Sequence, residues 1–393
     1  MPVTFIHTAD WQIGKPYARV SDPLKRGRLQ HERIEALQRI KTAADAAKAA
    51  FILVAGDLFD SQTPDKATVS AACGAIGNMK IPVLVIPGNH DFGGPGSIWE
   101  QAFFLREKEQ LAPNLHILLK PEPVILEQAI LFPAPLLQRH TNSDSTAWIR
   151  AAFDEDGDRN FPENLPRIVL AHGSIQGFSA VSDDEEDSSA SPNLIDISRL
   201  PLGEIDYIAL GDWHGTKKIG EGKAWYSGTH EIDRFPRGER NQPGHVLAVT
   251  AGRGEAAGVE IIRTAGFQWQ ATDFHFSGDE SLDRLKSELD DLIGTSGSEK
   301  LLLLTLRGSL GITAAAELEA TLEALEARLL RLKLYNHTSI APTEAEVREL
   351  AGRSADPLIS HVARQLIEQS GSSSPEEAEI AILALRELFT ATH

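Results

Sequence analysis

Cysteine and long apolar runs are scarce in this sequence of 393 residues. Its one cysteine, Cys73, has no second cysteine to pair with, so an internal disulfide is excluded and a reducing, cytoplasmic compartment is predicted. No run reaches the roughly 18 apolar residues that a membrane-spanning helix needs. The start, MPVTFIHTAD, lacks the basic and apolar segments of a signal peptide, so no membrane association is expected.

Basic residues are also fewer than acidic residues. Lys and Arg number 38 against 56 Asp and Glu, and the resulting net charge of −18 argues against non-specific nucleic-acid binding. The charge is uneven, however: between residues 15 and 41, eight cations stand against three anions, whereas residues 183–187 are all acidic. The first segment fits either a basic patch or the solvated face of a helix. The acidic run predicts an exposed loop.

The first part of the chain alternates apolar runs with helical patterns. Strands are predicted at Val3–Thr8, 51–55 and 81–86, and helices at 29–50 and 64–79. Strands that alternate with helices are typical of parallel βαβ units. Short apolar runs then follow one another as far as residue 263. Together these patterns predict one α/β domain over residues 1–266.

The composition changes near residue 267. Strand and helix patterns alternate twice after this point, which predicts a smaller α+β domain over residues 267–352. Two amphipathic patterns follow on either side of a Ser-rich loop, and they predict a helix–loop–helix over residues 353–393. The predicted elements are strands at 268–276 and 300–307 and helices at 280–293, 314–331, 357–369 and 375–390.

Five short polar motifs each stand at the end of an apolar run. Because ligand sites in open α/β sheets lie beyond the carboxyl ends of the strands, these motifs are expected to meet in one crevice. Their Asp, Asn, His and Gln side chains suit Mn²⁺, Fe²⁺ or Zn²⁺. One such motif alone is a weak signal, but the ordered set is specific. The motifs are Asp10-Trp11-Gln12, Gly56-Asp57-Leu58-Phe59-Asp60, Gly88-Asn89-His90-Asp91, Ala171-His172-Gly173 and Gly211-Asp212-Trp213-His214-Gly215.

The ordered set resembles the calcineurin-like binuclear metallophosphoesterases, and within them the SbcD-type DNA repair exonucleases. HTADWQIG is similar to the family's opening HxSDxHLG, GDLFD and GNHD match its second and third motifs, and WYSGTHEIDRF resembles the nuclease-specific YxGSxxRxxF stretch. The motifs cover residues 3–250, and a looser likeness extends through the second domain. The resemblance implies an α/β sandwich of two sheets flanked by helices, a smaller α+β capping domain and a C-terminal helix pair.

The resemblance also implies a role for each motif residue. His90 is expected to contact the phosphate and to stabilise or protonate the leaving oxygen. Gln12 and Asp212 stand where the family usually has His; both offer oxygen ligands, and the exchange favours Mn²⁺ over Zn²⁺. The implied ligands are Asp10, Gln12, Asp57 and His214 for one ion, and Asp57, Asn89, His172 and Asp212 for the other.

Two basic segments are candidates for contact with DNA. The alternatives are a solubilising loop with a helix start for the first segment, and an ordinary charged loop for the second. Tyr17 adds an aromatic ring that would stack on a base of a single strand. The candidates are Lys15, Tyr17, Arg19, Lys25, Arg26 and Arg28 in the first segment, and Arg234 and Arg237 in the second.

The leading hypothesis is a Mn²⁺-dependent DNA repair nuclease that cleaves duplex ends as an exonuclease and single strands as an endonuclease. Its mechanism would be attack on phosphorus by a hydroxide that two metal ions activate. The alternatives are a phosphodiesterase or phosphatase on small nucleotides, and a binding subunit with a degenerate site. The family likeness further implies a homodimer and a coiled-coil SbcC-like ATPase that docks on the terminal helices. Packing of those helices on the chain's own second domain is the alternative.

Overall fold

A computed structural model describes residues 2–153, 161–175, 192–220, 222–235, 242–340, 343–352 and 356–392. The chain divides into two units, Met1–Phe267 and Gln268–His393, each with its own apolar interior. Arg237 and the acidic run at 183–187 lie outside the described residues.

The first unit contains most of its strands where the apolar runs predict them. Its helices are α1 (Pro23–Ala47), α2 (Lys66–Gly77), α3 (Ala102–Leu111) and α4 (Ala147–Ala151). Its strands are β1 (Val3–Thr8), β2 (Ile52–Ala55), β3 (Val83–Ile86), β4 (Leu115–Ile117), β5 (Val124–Ile125), β6 (Ile130–Ala134), β7 (Arg167–His172), β8 (Ser174–Ile175), β9 (Leu194–Ile195), β10 (Tyr207–Gly211), β11 (Lys217–Ile219), β12 (Ala224–Tyr226), β13 (His245–Ala251) and β14 (Gly258–Arg263).

Two sheets pack face to face in this unit. One has the strand order β14-β13-β1-β2-β3-β4 and the other β11-β12-β10-β7-β6-β5. Phe5 and Leu53 of the first sheet share an apolar core with Leu170 and Ala209 of the second. A second core joins the outer face of the first sheet to helices α1–α3, so β2 and β3 are buried on both faces. The predicted α/β sandwich of two sheets flanked by helices is confirmed.

Helix α1 begins earlier than the hydrophobic pattern predicts. Asp22 caps it by accepting hydrogen bonds from the backbone amides of Leu24 and Lys25, and Pro23 occupies the first turn. The apolar spacing starts only at Leu29, which is why the first turn and a half reads as a loop in sequence.

The second unit is built on a parallel sheet. Its strands are β15 (Gln268–Phe276), β16 (Lys300–Leu310) and β17 (Arg331–Ile340), in that spatial order. Helices α5 (Ser281–Ile293) and α6 (Ile312–Arg328) connect them and share an apolar core with the sheet. Helices α7 (Glu344–Gly352), α8 (Pro357–Ser370) and α9 (Pro375–Thr392) follow. Strand β17 and helix α7 were not predicted from the sequence.

The C-terminal helices bury only part of their apolar surface. Leu366 and Leu388 pack on a small cluster around Ile312 and Leu350, which belongs to the chain's own second unit. No helix in the described part of the chain combines the length and apolarity that a bilayer span requires.

Candidate metal centre

The backbone is strained at four of the predicted ligands. Asp10, Gln12, Asp57 and Asp212 have φ angles of 52°, 40°, 55° and 102°. Each follows the end of a strand, and L-residues rarely adopt this left-handed region. Such strain costs about 1–3 kcal/mol per residue and persists mainly where a site requires it. The left-handed turns direct these side chains to one edge of the two-sheet sandwich.

Glycines let these loops approach one another. A Cβ atom on Gly88 would lie 2.1 Å from Asp57 Oδ1, and one on Gly56 would lie 2.2 Å from His172 Nδ1. A third glycine, Gly211, packs in the same way against the Ala55 carbonyl. No side chain fits at these positions, so the glycines of the motifs form a cradle around Asp57 and His172.

His172 and Asp57 lie at the centre of the cradle. His172 Nε2 is 2.9 Å from Asn89 Oδ1, 3.7 Å from Asp57 Oδ2 and 3.9 Å from Asp212 Oδ1. His172 Nδ1 donates a hydrogen bond to the Ala55 carbonyl at 2.7 Å, which directs Nε2 towards the carboxylates. The ligands predicted for the second ion, Asp57, Asn89, His172 and Asp212, thus lie close enough together to bind one ion.

Asp10 completes this group. Ligand atoms of Asp10, Asp57 and His172 all lie within 4.8 Å of one another, and all three residues are buried. Both carboxylate oxygens of Asp10 also lie 3.2 Å from the Asp212 amide. This half of the centre brings three carboxylates and an imidazole together; Asp10, Asp57 and His172 are buried, and Asp212 is partly exposed.

The charges of the cluster need a counter-ion. Burial raises the pKa of Asp10 to about 8. Burial alone would lower the pKa of His172, but Asp57, Asp10 and Asp212 outweigh it and raise that pKa to about 9. A group of buried carboxylates is costly unless a cation compensates it. The oxygen-rich donor set, the cradle and the orientation of His172 therefore fit a divalent metal ion.

The Gln12 end of the centre is arranged differently. His214 Nδ1 lies 2.9 Å from Asp233 Oδ2 and 2.6 Å from Arg234 Nη2, and burial lowers the pKa of His214 to about 4, so its ring is neutral. Gln12 Nε2 lies 3.4 Å from His214 Nε2. Lys15 Nζ donates to Gln12 Oε1 at 2.7 Å and lies 3.2 Å from Asp233 Oδ2. Two predicted ligands and a lysine ammonium thus share this end.

His90 borders the centre without joining the ligand cluster. Its Nδ1 donates to the Asp60 carbonyl at 2.7 Å, and its Nε2 lies 3.9 Å from Asp57 Oδ2. Burial alone would lower the pKa of His90, but the charge of Asp57 outweighs it and raises that pKa. Asp91, the next residue, accepts the backbone amides of Gly88 and Phe59 and so closes the loop. The charge of Asp57 therefore favours the protonated form of His90.

Sequence reasoning missed Arg33 and gave no role to Asp233. Arg33 is fully buried in α1 and donates to the carbonyls of Trp11 at 2.7 Å and Asp10 at 2.9 Å. It thereby supports the loop that carries Asp10 and Gln12. The sequence contains one signal that could have revealed this role of Arg33. Arg33 stands four residues after Leu29 in the apolar row of α1, where a charged residue is rarely buried unless it is paired.

The candidates for DNA contact are scattered by the fold. Lys15 and Arg234 both lie against Asp233 beside the centre. Tyr17 is buried, and its hydroxyl lies near Arg33. Its ring is therefore not exposed for the predicted stacking on a base. The remaining candidates lie just before α1 or on its first turns; they are Arg19, Lys25, Arg26 and Arg28. The Arg26 guanidinium donates to the Val20 carbonyl, and the Arg28 guanidinium lies over the Phe267 ring.

An SbcD subunit of the nuclease SbcCD from Staphylococcus epidermidis is 24% identical over 249 residues, which cover 60% of this chain and 63% of that protein. The chain therefore spans a little less than two thirds of this relative's length.

Solved structures align more weakly. The crystal structure of TT1561 of Thermus thermophilus is 15% identical and aligns over 58% of this chain and 90% of that one, with a TM-score of 0.35. Another crystal structure is 14% identical over 67% of this chain and 100% of that one, with a TM-score of 0.40. The family model for calcineurin-like phosphoesterases matches residues 3–216 of the 393, and it contains every predicted ligand. The chain belongs to the calcineurin-like phosphoesterase family.

Proposed function

We propose that this protein is a metal-dependent nuclease that hydrolyses phosphodiester bonds of DNA. The observation that carries the proposal is the buried group of Asp10, Asp57 and His172 with His90 beside it. The family's chemistry is hydrolysis of phosphoesters, and one relative of this chain is named as a nuclease subunit. The resemblance of residues 225–235 to a nuclease-specific stretch favours DNA over small nucleotides.

The metal ligands are proposals of the same kind. Asp10, Asp57, Asn89, His172 and Asp212 hold a divalent cation, for which Mn²⁺ is the first choice because most of the donors are oxygen atoms. A bound cation of this kind lowers the pKa of a water molecule and neutralises phosphate charge. The sequence predicts two such ions, and the second would lie at the Gln12 end.

His90 acts on the substrate rather than on the cation. Its Nδ1 proton is held by the Asp60 carbonyl, so the Nε2–H of the imidazolium is the group that faces the centre. In that position Nε2–H donates to a phosphate oxygen and gives its proton to the leaving oxygen as the P–O bond breaks. The charge of Asp57 favours the protonated form of His90, because it raises the pKa of the ring.

The terminal helices are proposed to dock on an SbcC-like coiled-coil ATPase. Leu358, Ile380 and Leu383 are 75%, 61% and 48% exposed, so α8 and α9 keep an apolar surface beyond what they bury. Replacing all three with Glu is expected to abolish co-purification with such an ATPase while leaving DNA cleavage by the isolated protein unchanged. Retained co-purification would contradict the docking proposal. A homodimer and a cytoplasmic location are predicted with it.

The decisive experiment supplies Mn²⁺ to the metal-stripped protein and compares four substrates: labelled single-stranded DNA, duplex DNA, bis-p-nitrophenyl phosphate and cyclic nucleotides. Cleavage of DNA is expected, and Asp57→Ala is expected to abolish it, which excludes a contaminant. Cleavage of the small esters alone would favour the phosphodiesterase alternative. No turnover on any substrate, with Mn²⁺ bound, would favour the binding subunit instead.

A further inference from the structure

Lys15 brings an ammonium group to the Gln12 end of the centre. Its backbone amide bonds the Gln12 carbonyl at 3.1 Å, which folds the side chain back towards the loop that precedes it. Its ammonium lies 2.7 Å from Gln12 Oε1, 3.2 Å from Asp233 Oδ2 and 3.9 Å from Asp60 Oδ1. The side chain is 24% exposed, so Lys15 borders solvent while it contacts the centre.

This contact fixes the orientation of Gln12. A lysine ammonium only donates hydrogen bonds, so the atom of Gln12 that it contacts must be the carbonyl oxygen. The amide nitrogen of Gln12 therefore faces His214 Nε2, 3.4 Å away. His214 Nδ1, on the other side of the ring, lies between Asp233 Oδ2 at 2.9 Å and Arg234 Nη2 at 2.6 Å. The Gln12 amide nitrogen thus contacts His214, and the Gln12 oxygen that would ligate a metal accepts a hydrogen bond from Lys15.

The two ends of the centre consequently differ in charge. The cluster of Asp10, Asp57 and His172 is rich in carboxylates and lacks a lysine among the described residues. The Gln12 end has an ammonium in direct contact with the donor that a second cation would need. A divalent ion at that end would repel the ammonium at close range in a poorly solvated space. The residues at the Gln12 end therefore do not fit a metal ion.

We propose that the ammonium of Lys15 replaces the second metal ion of this centre. The protein then binds one divalent cation, at the Asp57–His172 end, and Lys15 supplies the other positive charge. Among the described residues, two acceptors lie within 3.2 Å of Lys15 Nζ, which leaves the third N–H for a phosphate oxygen of the substrate. This last contact rests on the proposed function, whereas the metal count does not.

The metal count is tested without substrate. The full-length, metal-stripped protein is titrated with Mn²⁺ by calorimetry, and the bound metal is counted by elemental analysis. One Mn²⁺ per chain is expected, with no exchange-coupled dimanganese signal in electron paramagnetic resonance. Lys15→Met frees the Gln12 oxygen and is expected to bind two ions and to give the coupled signal. Lys15→Arg keeps the charge and is expected to bind one ion.

The control is Lys120→Met, because Lys120 is 80% exposed and pairs only loosely with Glu122 at 4.0 Å. Two ions of similar affinity in the unaltered protein would overturn the proposal, and so would a count of one in Lys15→Met. If Lys15→Met does not fold, the counts in the unaltered protein and in Lys15→Arg still decide. With bis-p-nitrophenyl phosphate, at a Mn²⁺ concentration that fills only the Asp57–His172 end, Lys15→Met is expected to raise KM at least tenfold; an unchanged KM under that condition would overturn the phosphate contact. Absence of all turnover would contradict the proposed function and leave the metal count as an independent result.

Discussion

Arg33 offers a direct test of how the fold supports the centre. Its guanidinium is buried and bonds two backbone carbonyls, those of Asp10 and Trp11, in the loop that carries the first motif. Arg33→Met leaves both carbonyls buried without these partners, at a cost of about 1–3 kcal/mol each. We therefore expect the free energy of unfolding of the first unit to fall by about 2–6 kcal/mol, a large part of the usual total.

The loop itself should also respond. Asp10 and Gln12 have left-handed backbones that the surrounding contacts must hold in place. Without Arg33, we expect the loop to relax and the affinity for Mn²⁺ to fall at least tenfold. Arg33→Lys provides one compact donor group in place of a fork and should recover part of both losses.

Urea unfolding followed by tryptophan fluorescence measures the stability, because five of the six tryptophans lie in the first unit and only Trp269 in the second. Calorimetric titration measures Mn²⁺ affinity. Arg106→Met, at an exposed position of α3, is the matched control and should change stability by no more than about 0.5 kcal/mol. An unfolding midpoint and a Mn²⁺ affinity that are both unchanged in Arg33→Met would refute this account of the loop.

Three further predictions concern other parts of the chain. Gly88→Ala places a Cβ 2.1 Å from Asp57 Oδ1 and should weaken Mn²⁺ binding at least tenfold by calorimetry, whereas Gly74→Ala, with open space around it, should not. Glu346 accepts backbone amides at the start of α6, which lowers its pKa below the usual 4.5 against the effect of burial. The charge of Glu346 therefore stabilises the second unit above about pH 4.5, and this stabilisation is lost as the pH falls through the lowered pKa. In that pH window, the melting temperature of Glu346→Gln should depend less on pH than that of the unaltered protein. His90→Asn should lower turnover about 10²–10⁴-fold with unchanged Mn²⁺ content, and loss of the metal would contradict the role given to His90.

The strands of the first unit can be predicted from the sequence because their hydrophobic pattern is strong. Strands β2 and β3 are buried along their whole length, so they appear as uninterrupted apolar runs. Each run ends at a glycine-containing polar motif, and parallel strands bring such ends to one edge of the sheet. The position of the centre follows from these two facts alone.

Elements that bury little apolar surface were not predicted from the hydrophobic pattern. Helix α3 has one fully buried residue, Phe104, which is too few to produce a helical period. Strand β17 lies at the edge of its sheet and has no fully buried residue, so its apolar alternation is weak. Both are held in place by neighbours that are distant in sequence.

The basic segment between residues 15 and 41 shows what charge counting alone misses. Arg33 is buried under the first motif, Lys15 contacts Gln12, Arg39 pairs with Glu231, and Lys41 pairs with Asp45. Half of the eight cations therefore act within the protein. On a chain of net charge −18, long-range attraction of a DNA backbone is correspondingly weak. Under the proposed function, recognition of the scissile phosphate would then depend on charges within the centre itself, among them the ammonium of Lys15.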